Sequence, residues 1–72
     1  MPDRTPPRYP ELRVSIRSRN PLALVAAVRE ELRLAGAGHG DISRFTDQAL
    51  ARPDRRHVLA VAEEWIGAVE AA

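Results

Sequence analysis

The chain has 72 residues, a formal net charge of +1 and no cysteine, and all eleven of its basic residues are arginine. A chain of this length forms one domain whose core supplies only about 3–5 kcal/mol, and it has neither disulfides nor thiolate metal sites to strengthen it. No apolar run approaches the roughly 18–20 residues of a membrane span, and no signal-peptide core opens the chain. We therefore expect a cytoplasmic protein without cofactor or membrane contact, stabilised by oligomerisation.

Residues 1–10 contain four prolines, and residues 11–18 alternate apolar and polar side chains. Proline removes a backbone donor and disfavours helix, so the first segment predicts a disordered, Pro-rich arm. The alternation predicts a β-strand with Leu12, Val14 and Ile16 on one face and arginines on the other. No second strand of similar quality follows, and an isolated strand leaves its backbone groups unpaired. We therefore expect this strand to pair with its counterpart in another copy, within a dimer or tetramer.

The first predicted helix begins after Asn20 and extends to about Leu34. Asn20 is a favoured N-cap, and Pro21 suits the first helical position because its missing N–H needs no partner there. A stripe at helical spacing predicts the buried face, and it consists of Leu24, Val25, Val28 and Leu32. The glycine-rich segment 36–40 ends this helix and forms a flexible link.

Two further helices are predicted, one over about 42–51 with Asp41 as its cap and one over about 55–70 with Asp54 as its cap. The expected fold class is mainly α, with one short N-terminal β-strand followed by three helices in a domain over residues 11–70, oligomeric with inter-chain strand pairing. The predicted core consists of Val14, Ile16, Leu24, Val28, Leu32, Ile42, Phe45, Leu50, Val58, Val61 and Trp65.

No catalytic constellation accompanies these elements. A nucleophile needs a base within reach and a group that orients the base, and no serine here has such a context. His39 lies in the glycine-rich segment, and His57 lies at the positive end of a helix dipole. The adjacent acids at 30–31 and 63–64 diverge by about 100° around their helices, so neither pair can act on one bond. We therefore expect no enzymatic activity and no metal site.

DNA binding is one alternative function. In a ribbon–helix–helix dimer, paired N-terminal strands enter the major groove, where arginine reads guanine bidentately. Arg13, Ser15 and Arg17 suit that role, but the near-zero net charge argues against it, because nucleic-acid binders carry a larger basic surplus. A small protein-interaction module whose arginines contact an acidic partner is another alternative.

The leading interpretation is a site for a phosphate-bearing ligand. Helix N-termini offer free N–H groups and positive potential, and the first helix begins next to two arginines. Arginine binds phosphate bidentately, which lysine does not. In an oligomer, arginines of neighbouring copies would converge on one ligand. The candidate ligand-binding residues are Arg17, Arg19 and Asn20 at the first helix start, with Arg29, Arg33 or Arg56 from a neighbour.

The stretch from Asn20 to Gly36, which reads Asn-Pro-Leu-Ala-Leu-Val-Ala-Ala-Val-Arg-Glu-Glu-Leu-Arg-Leu-Ala-Gly, resembles a pattern found in small phage proteins. Those proteins continue with Ile and Phe in a short second helix and with Trp and Val in a third. Ile42, Phe45 and the segment from Trp65 to Val69, the last with a shifted spacing, correspond here. The resemblance covers about residues 18–66. The pattern also resembles phage sponges that sequester the cyclic-nucleotide signals of CBASS-type immunity.

This resemblance implies a phage-encoded, non-catalytic protein that sequesters a cyclic nucleotide or another phosphate-bearing small ligand between protomers, in the host cytoplasm. One departure concerns the segment before the third helix. The phage proteins have Gly-Asp-Tyr-Asp there, whereas this chain has Ala51-Arg52-Pro53-Asp54 and keeps only the last residue. The identity of the ligand and the number of copies in the oligomer are therefore left open.

Overall fold

The computed structural model describes residues 6–52 and 54–71, and its elements follow the order strand, three helices, strand. The elements are β1 Tyr9–Ile16, α1 Pro21–Leu34, α2 His39–Leu50, α3 Arg55–Trp65 and β2 Ile66–Ala71. The prediction of an N-terminal strand followed by three helices is confirmed. The predicted disordered arm falls partly on residues 1–5, which lie outside the described residues, and its last two residues belong to β1.

β1 pairs in parallel with β2 of the same chain, so the expectation that β1 has no partner within the chain is wrong. Val14 lies opposite Val69, and Arg13 lies opposite Ala68. Parallel neighbours require a long crossover connection, and the three helices provide it. The inner face of this two-stranded sheet packs on the helices, and its outer face is directed away from them.

The third helix is shorter than its apolar spacing predicts. It ends at Trp65 rather than near residue 70, and the chain continues directly as β2 from Ile66. Val69 follows Trp65 at the spacing of one helical turn, so the sequence pattern does not reveal that the helix has already changed to a strand. The sequence of β2 is Ile-Gly-Ala-Val-Glu-Ala, and glycine, alanine and glutamate are all depleted in strands. Pairing with β1, rather than local propensity, therefore makes this segment a strand.

Two of the three predicted helix caps are confirmed. The Asn20 side chain accepts a hydrogen bond from the N–H of Leu22 at 3.0 Å, and the Asp54 carboxylate accepts one from the N–H of His57 at 2.8 Å. α2 differs, because its N-cap is Gly38 and no side chain caps it. The helix therefore begins three residues earlier than predicted, inside the glycine-rich segment.

Asp41, the predicted cap of α2, instead holds the start of β1. The Tyr9 hydroxyl donates a hydrogen bond to the Asp41 carboxylate at 2.8 Å, and the guanidinium of Arg8 lies 3.7 Å from the same carboxylate. The Arg8 guanidinium also lies 5.2 Å from the centroid of the Trp65 ring, in a cation–π contact. We refer to Arg8, Tyr9, Asp41 and Trp65 as the clamp, because together they join the start of β1 to α2 and α3.

The core lies between the helices and the inner face of the sheet. The prediction of Trp65 as a core residue is confirmed: the ring packs edge-on against Phe45 with centroids 6.1 Å apart, and the indole N–H donates to the Gln48 side chain at 2.8 Å. The buried hydrophobic residues are Val14, Leu24, Val25, Val28, Leu32, Phe45, Ala49, Val58, Val61, Ala62, Trp65 and Ile66.

Leu50 was expected in this core, but it is 43% exposed. Ala49 occupies the inward position instead, one turn after Phe45, and the next residue is rotated by about 100° away from it. Ile16 and Ile42 are only partly buried and pack against the core from its edge.

Gly67 lets the two strands approach each other closely. A Cβ atom at Gly67 would lie 1.9 Å from the carbonyl oxygen of Pro10. This contact falls where the strand register is irregular, between Tyr9 and Arg13. The obstructing atom belongs to the backbone, so only a displacement of a strand could relieve the clash.

We predict that Gly67→Ala lowers the free energy of unfolding by about 1–3 kcal/mol, the usual range for forced overpacking. Urea denaturation followed by the fluorescence of Trp65, the only tryptophan, measures this change. Gly40→Ala is the matched control, because a Cβ there meets nothing within 4 Å and alanine favours a helix over glycine. The free energy of unfolding of Gly40→Ala should equal or exceed that of the wild type. A comparable loss of stability in both variants would contradict the close approach at Gly67.

We also predict an alkaline weakening of the clamp. The hydrogen bond to Asp41, together with burial, raises the pKa of Tyr9 above its ordinary value of 10.0. The fold therefore favours the neutral phenol, and this stabilisation is complete below about pH 10 and is lost as the pH rises through the higher folded value. Tyr9 is the only tyrosine, so tyrosinate absorbance reports its titration alone. Asp41→Ala should return the pKa toward 10, whereas Asp47→Ala should leave it raised.

Candidate ligand-binding groove

An open groove of about 600 Å³ lies between α1 and α2. This volume falls within the range of small-molecule sites, roughly 300–1,000 Å³. Polar side chains line both of its walls, together with the apolar side chains of Ala26, Ala37 and Ile42. We refer to this site as the α1–α2 groove.

The α1 wall carries two arginines one turn apart. Ala26, Arg29, Glu30 and Arg33 line the groove and recur at intervals of three and four residues, which places them on one face of the helix. Within residues 6–52 and 54–71, Arg29 has no ion pair, whereas Arg33 donates to the Glu30 carboxylate from both Nε and Nη2. Arg29 is therefore the cation that is immediately available to a ligand.

The pair between Arg33 and Glu30 is exchangeable. Hydrogen bonding from Arg33 lowers the pKa of Glu30 below its ordinary value and raises the pKa of Arg33. Both side chains are more than half exposed, so water and salt screen their attraction. A phosphate group offers the same bidentate geometry as a carboxylate, so it can replace Glu30 as the partner of Arg33.

The α2 wall carries hydroxyl groups and a histidine. His39 is the first residue of α2, rather than part of a loose loop as expected, and Ser43 follows one turn later. The Thr46 hydroxyl donates to the carbonyl of Ile42 at 2.7 Å, so its oxygen remains free to accept. Asp47 also lines this wall and limits the positive charge of the groove.

Sequence reasoning missed the α2 wall. His39, Ser43 and Thr46 recur at intervals of four and three residues, beside the apolar stripe that contains Phe45. A polar stripe of this kind is typical of any exposed helix face. Only its position opposite the arginines of α1 distinguishes it, and that position depends on how the two helices pack.

The six predicted ligand-binding residues lie at three separate places in one chain. They are Arg17, Arg19, Asn20, Arg29, Arg33 and Arg56, and all are exposed. The first three lie just before the start of α1, and Asn20, its N-cap, is about 14 Å along the helix axis from Arg29. Arg29 and Arg33 line the α1–α2 groove, and the last lines a separate shallow depression on α3 beside Leu59 and Glu63.

The start of α1 provides fewer donors than the sequence indicates. Pro21 has no N–H, the N–H of Leu22 donates to the Asn20 side chain, and the N–H of Ala23 donates to the Asn20 carbonyl at 3.0 Å. The N–H of Asn20 itself donates to the Ser18 hydroxyl oxygen at 3.1 Å. An anion there would meet arginine side chains but no free backbone N–H from Asn20 to Ala23, so the α1–α2 groove is the better candidate site.

The outer face of the sheet is a less favourable site for DNA. Arg13 lies there opposite Ala68, but Ser15 lies opposite the acidic Glu70. A ribbon–helix–helix dimer uses an antiparallel pair of identical strands, whereas β1 pairs in parallel with β2 along one edge.

Among residues 6–52 and 54–71, no three histidine, aspartate or glutamate side chains are grouped so that they could hold a metal ion. Within the same ranges, none of the helices combines the length and the apolar character needed to cross a membrane.

Comparisons with known proteins found no match: no protein-family model, no curated protein and no solved structure is similar to this chain. The chain is therefore described by its own structure, as a strand–three-helix–strand domain with a groove that two arginines line.

We predict that the Glu30 carboxyl titrates below its ordinary pKa of 4.5 and that Arg33→Ala raises its pKa toward that value. Because the folded pKa is lowered, the associated stabilisation is present above about pH 4.5 and is lost as the pH falls through the folded value. Arg29→Ala is the control and should leave the pKa of Glu30 unchanged. Carbon-detected NMR of the glutamate carboxyls measures the pKa of Glu30 in both variants. An equal change of this pKa in the two variants would exclude Arg33 as the specific partner.

Proposed function

We propose that this protein is a non-catalytic binding protein that holds a phosphate-bearing small ligand in the α1–α2 groove. The observation that carries the proposal is the exposed Arg29, which has no ion pair within residues 6–52 and 54–71 and lies one turn before Arg33 on the wall of a groove of small-molecule volume. A cyclic nucleotide that serves as an immune signal, sequestered by a phage-encoded protein, is the ligand that the resemblance to phage sponges implies.

In this proposal the two arginines differ in whether ligand binding has to break an ion pair that is already present. Arg29 donates to a phosphate directly, because no carboxylate in the described residues competes for it. Arg33 exchanges Glu30 for the same phosphate or for a second one. Ser43 and His39 on the opposite wall hydrogen-bond other oxygens of the ligand, and Ile42 contacts its apolar part. The only aromatic ring among the groove residues described here is the imidazole of His39, so phosphate contacts rather than base stacking dominate recognition.

Sequestration suits this groove better than turnover. Ser43 and His39 lie one turn apart, but no hydrogen bond joins them among the described contacts, and no carboxylate there orients the imidazole. A serine without a positioned base is a weak nucleophile, so its hydroxyl serves as a hydrogen-bond donor or acceptor.

We also propose that the protein assembles as a homo-oligomer, a dimer or tetramer, through additional strand pairing. Two strands form the sheet in the described part of the chain, which leaves one edge of each strand without a backbone partner. In an oligomer, Arg19, Asn20 and Arg56 stay candidates for contributing to a ligand bound by a neighbouring copy.

Native mass spectrometry and calorimetry with a panel of ligands test the binding proposal. The panel contains cyclic di- and trinucleotides, a linear dinucleotide, inorganic phosphate and a short DNA duplex. We predict that a cyclic nucleotide is retained in a fixed ratio. Arg29→Ala should weaken its binding by roughly tenfold or more, since a hydrogen bond to a charged group contributes about 1.5–3 kcal/mol.

Arg44→Ala is the matched control, because Arg44 is also exposed and has no ion pair among the described residues, yet it does not line the groove. An oligomer that stays empty across the panel, or equal losses in the two variants, would reject the groove as the site. Binding to the duplex alone, falling steeply with salt, would favour the DNA alternative.

A further inference from the structure

β1 has a free edge that can accept another strand. The strand order is β1–β2 with no third strand in the described ranges, so the backbone N–H and C=O groups along the far edge of β1 have no neighbouring strand. Two strands alone are marginal, and a free edge is a template for pairing. β1 is the longer of the two strands, with eight residues against six.

The side chains of β1 form an apolar set and a charged set on opposite faces. The inward residues, which pack on the core, are Leu12, Val14 and Ile16. The outward residues, all exposed, are Glu11, Arg13, Ser15 and, just beyond the strand, Arg17. None of the three charged residues has an ion pair within the described ranges. An acid near one end of the strand and an arginine just past the other end would meet if two copies of β1 lay antiparallel.

We propose that β1 pairs antiparallel with β1 of a second copy, with Val14 on the two-fold axis. In this register Glu11 lies opposite Arg17 of the second copy, and the two-fold symmetry repeats this ion pair at the other end of the ladder. Leu12 lies opposite Ile16, so apolar residues meet on the inner face. The result is a continuous sheet in the order β2–β1–β1–β2, with the helices of both copies on one side.

Other registers are less favourable. The inward residues have to lie opposite inward residues, because a slip by one position would carry the apolar set to the solvent face. A register centred on Arg13 places this residue opposite itself, and one centred on Ser15 places Arg13 opposite Arg17, so both bring like charges together. A register centred on Leu12 places Pro10, which has no N–H, within the ladder.

The far edge of β2 lacks this complementarity. Its one charged residue is Glu70, and Gly67 weakens it as a strand. The proposed pairing uses no residue of the α1–α2 groove, so it does not rest on ligand binding. The pairing engages Arg17 with Glu11 of the second copy. The α1–α2 groove, and not the start of α1, therefore stays the candidate site for a phosphate.

A pair of cysteine variants tests the register directly, because the natural chain contains no cysteine. The full chain with Arg13→Cys is refolded together with the full chain carrying Ser15→Cys, and both are oxidised mildly and run on a non-reducing gel. The proposed register places these two positions opposite each other, so a crosslinked dimer should form in the mixture and not in either variant alone. A crosslink in one variant alone, or none in the mixture, would overturn the register.

Charge reversal tests the ion pairs. Glu11→Arg and Arg17→Glu should each weaken the wild-type dimer by about tenfold or more in sedimentation velocity, and the double variant should restore it. Arg44→Glu is the control with the same change of charge on α2 and should leave the dimer intact. Circular dichroism and Trp65 fluorescence verify that each variant folds. A monomeric wild type, or a double variant as weak as the singles, would refute the interface, and neither result would bear on ligand affinity in the groove.

Discussion

The backbone pairing of β1 with β2 brings the two ends of the described chain side by side, and all three helices have to fit within the connection between them. Tyr9 lies opposite Ile66, directly where α3 ends, so the strand pairing also determines where that helix stops. The close approach at Gly67 makes this pairing possible, because any Cβ there would meet the backbone of Pro10. The core residues of the helices then cover the inner face of the sheet.

The arginines differ in whether they already have a partner in the fold. Arg8 is committed to the clamp, where it contacts both the carboxylate of Asp41 and the ring of Trp65. Arg33 is paired with Glu30, although solvent weakens that attraction. Arg29 has no ion pair among the described residues, so its hydration is the main cost of any new contact. A net charge near zero therefore conceals local positions at which a guanidinium is available to an anion.

Much of the helical layer could be predicted from the sequence, because the stripe on α1 and the caps Asn20 and Asp54 are local features. The pairing of β1 could not, because β2 has a weak strand sequence and is specified by contacts with a segment distant in the chain. The same limit applies to the site. Arg29 and Arg33 are visible as a pair one turn apart, but the facing wall of Ser43 depends on how α1 packs against α2.

Because β2 is the last described element, the sheet cannot form until the ribosome has synthesised all three helices. Until that moment the edge of β1 that pairs with β2 has no strand beside it. A nascent or truncated chain that lacks β2 would thus be a target for chaperones and proteases, because the closed core depends on this strand. Quality control in the cell would in this way discriminate chains that have formed the sheet from chains that have not.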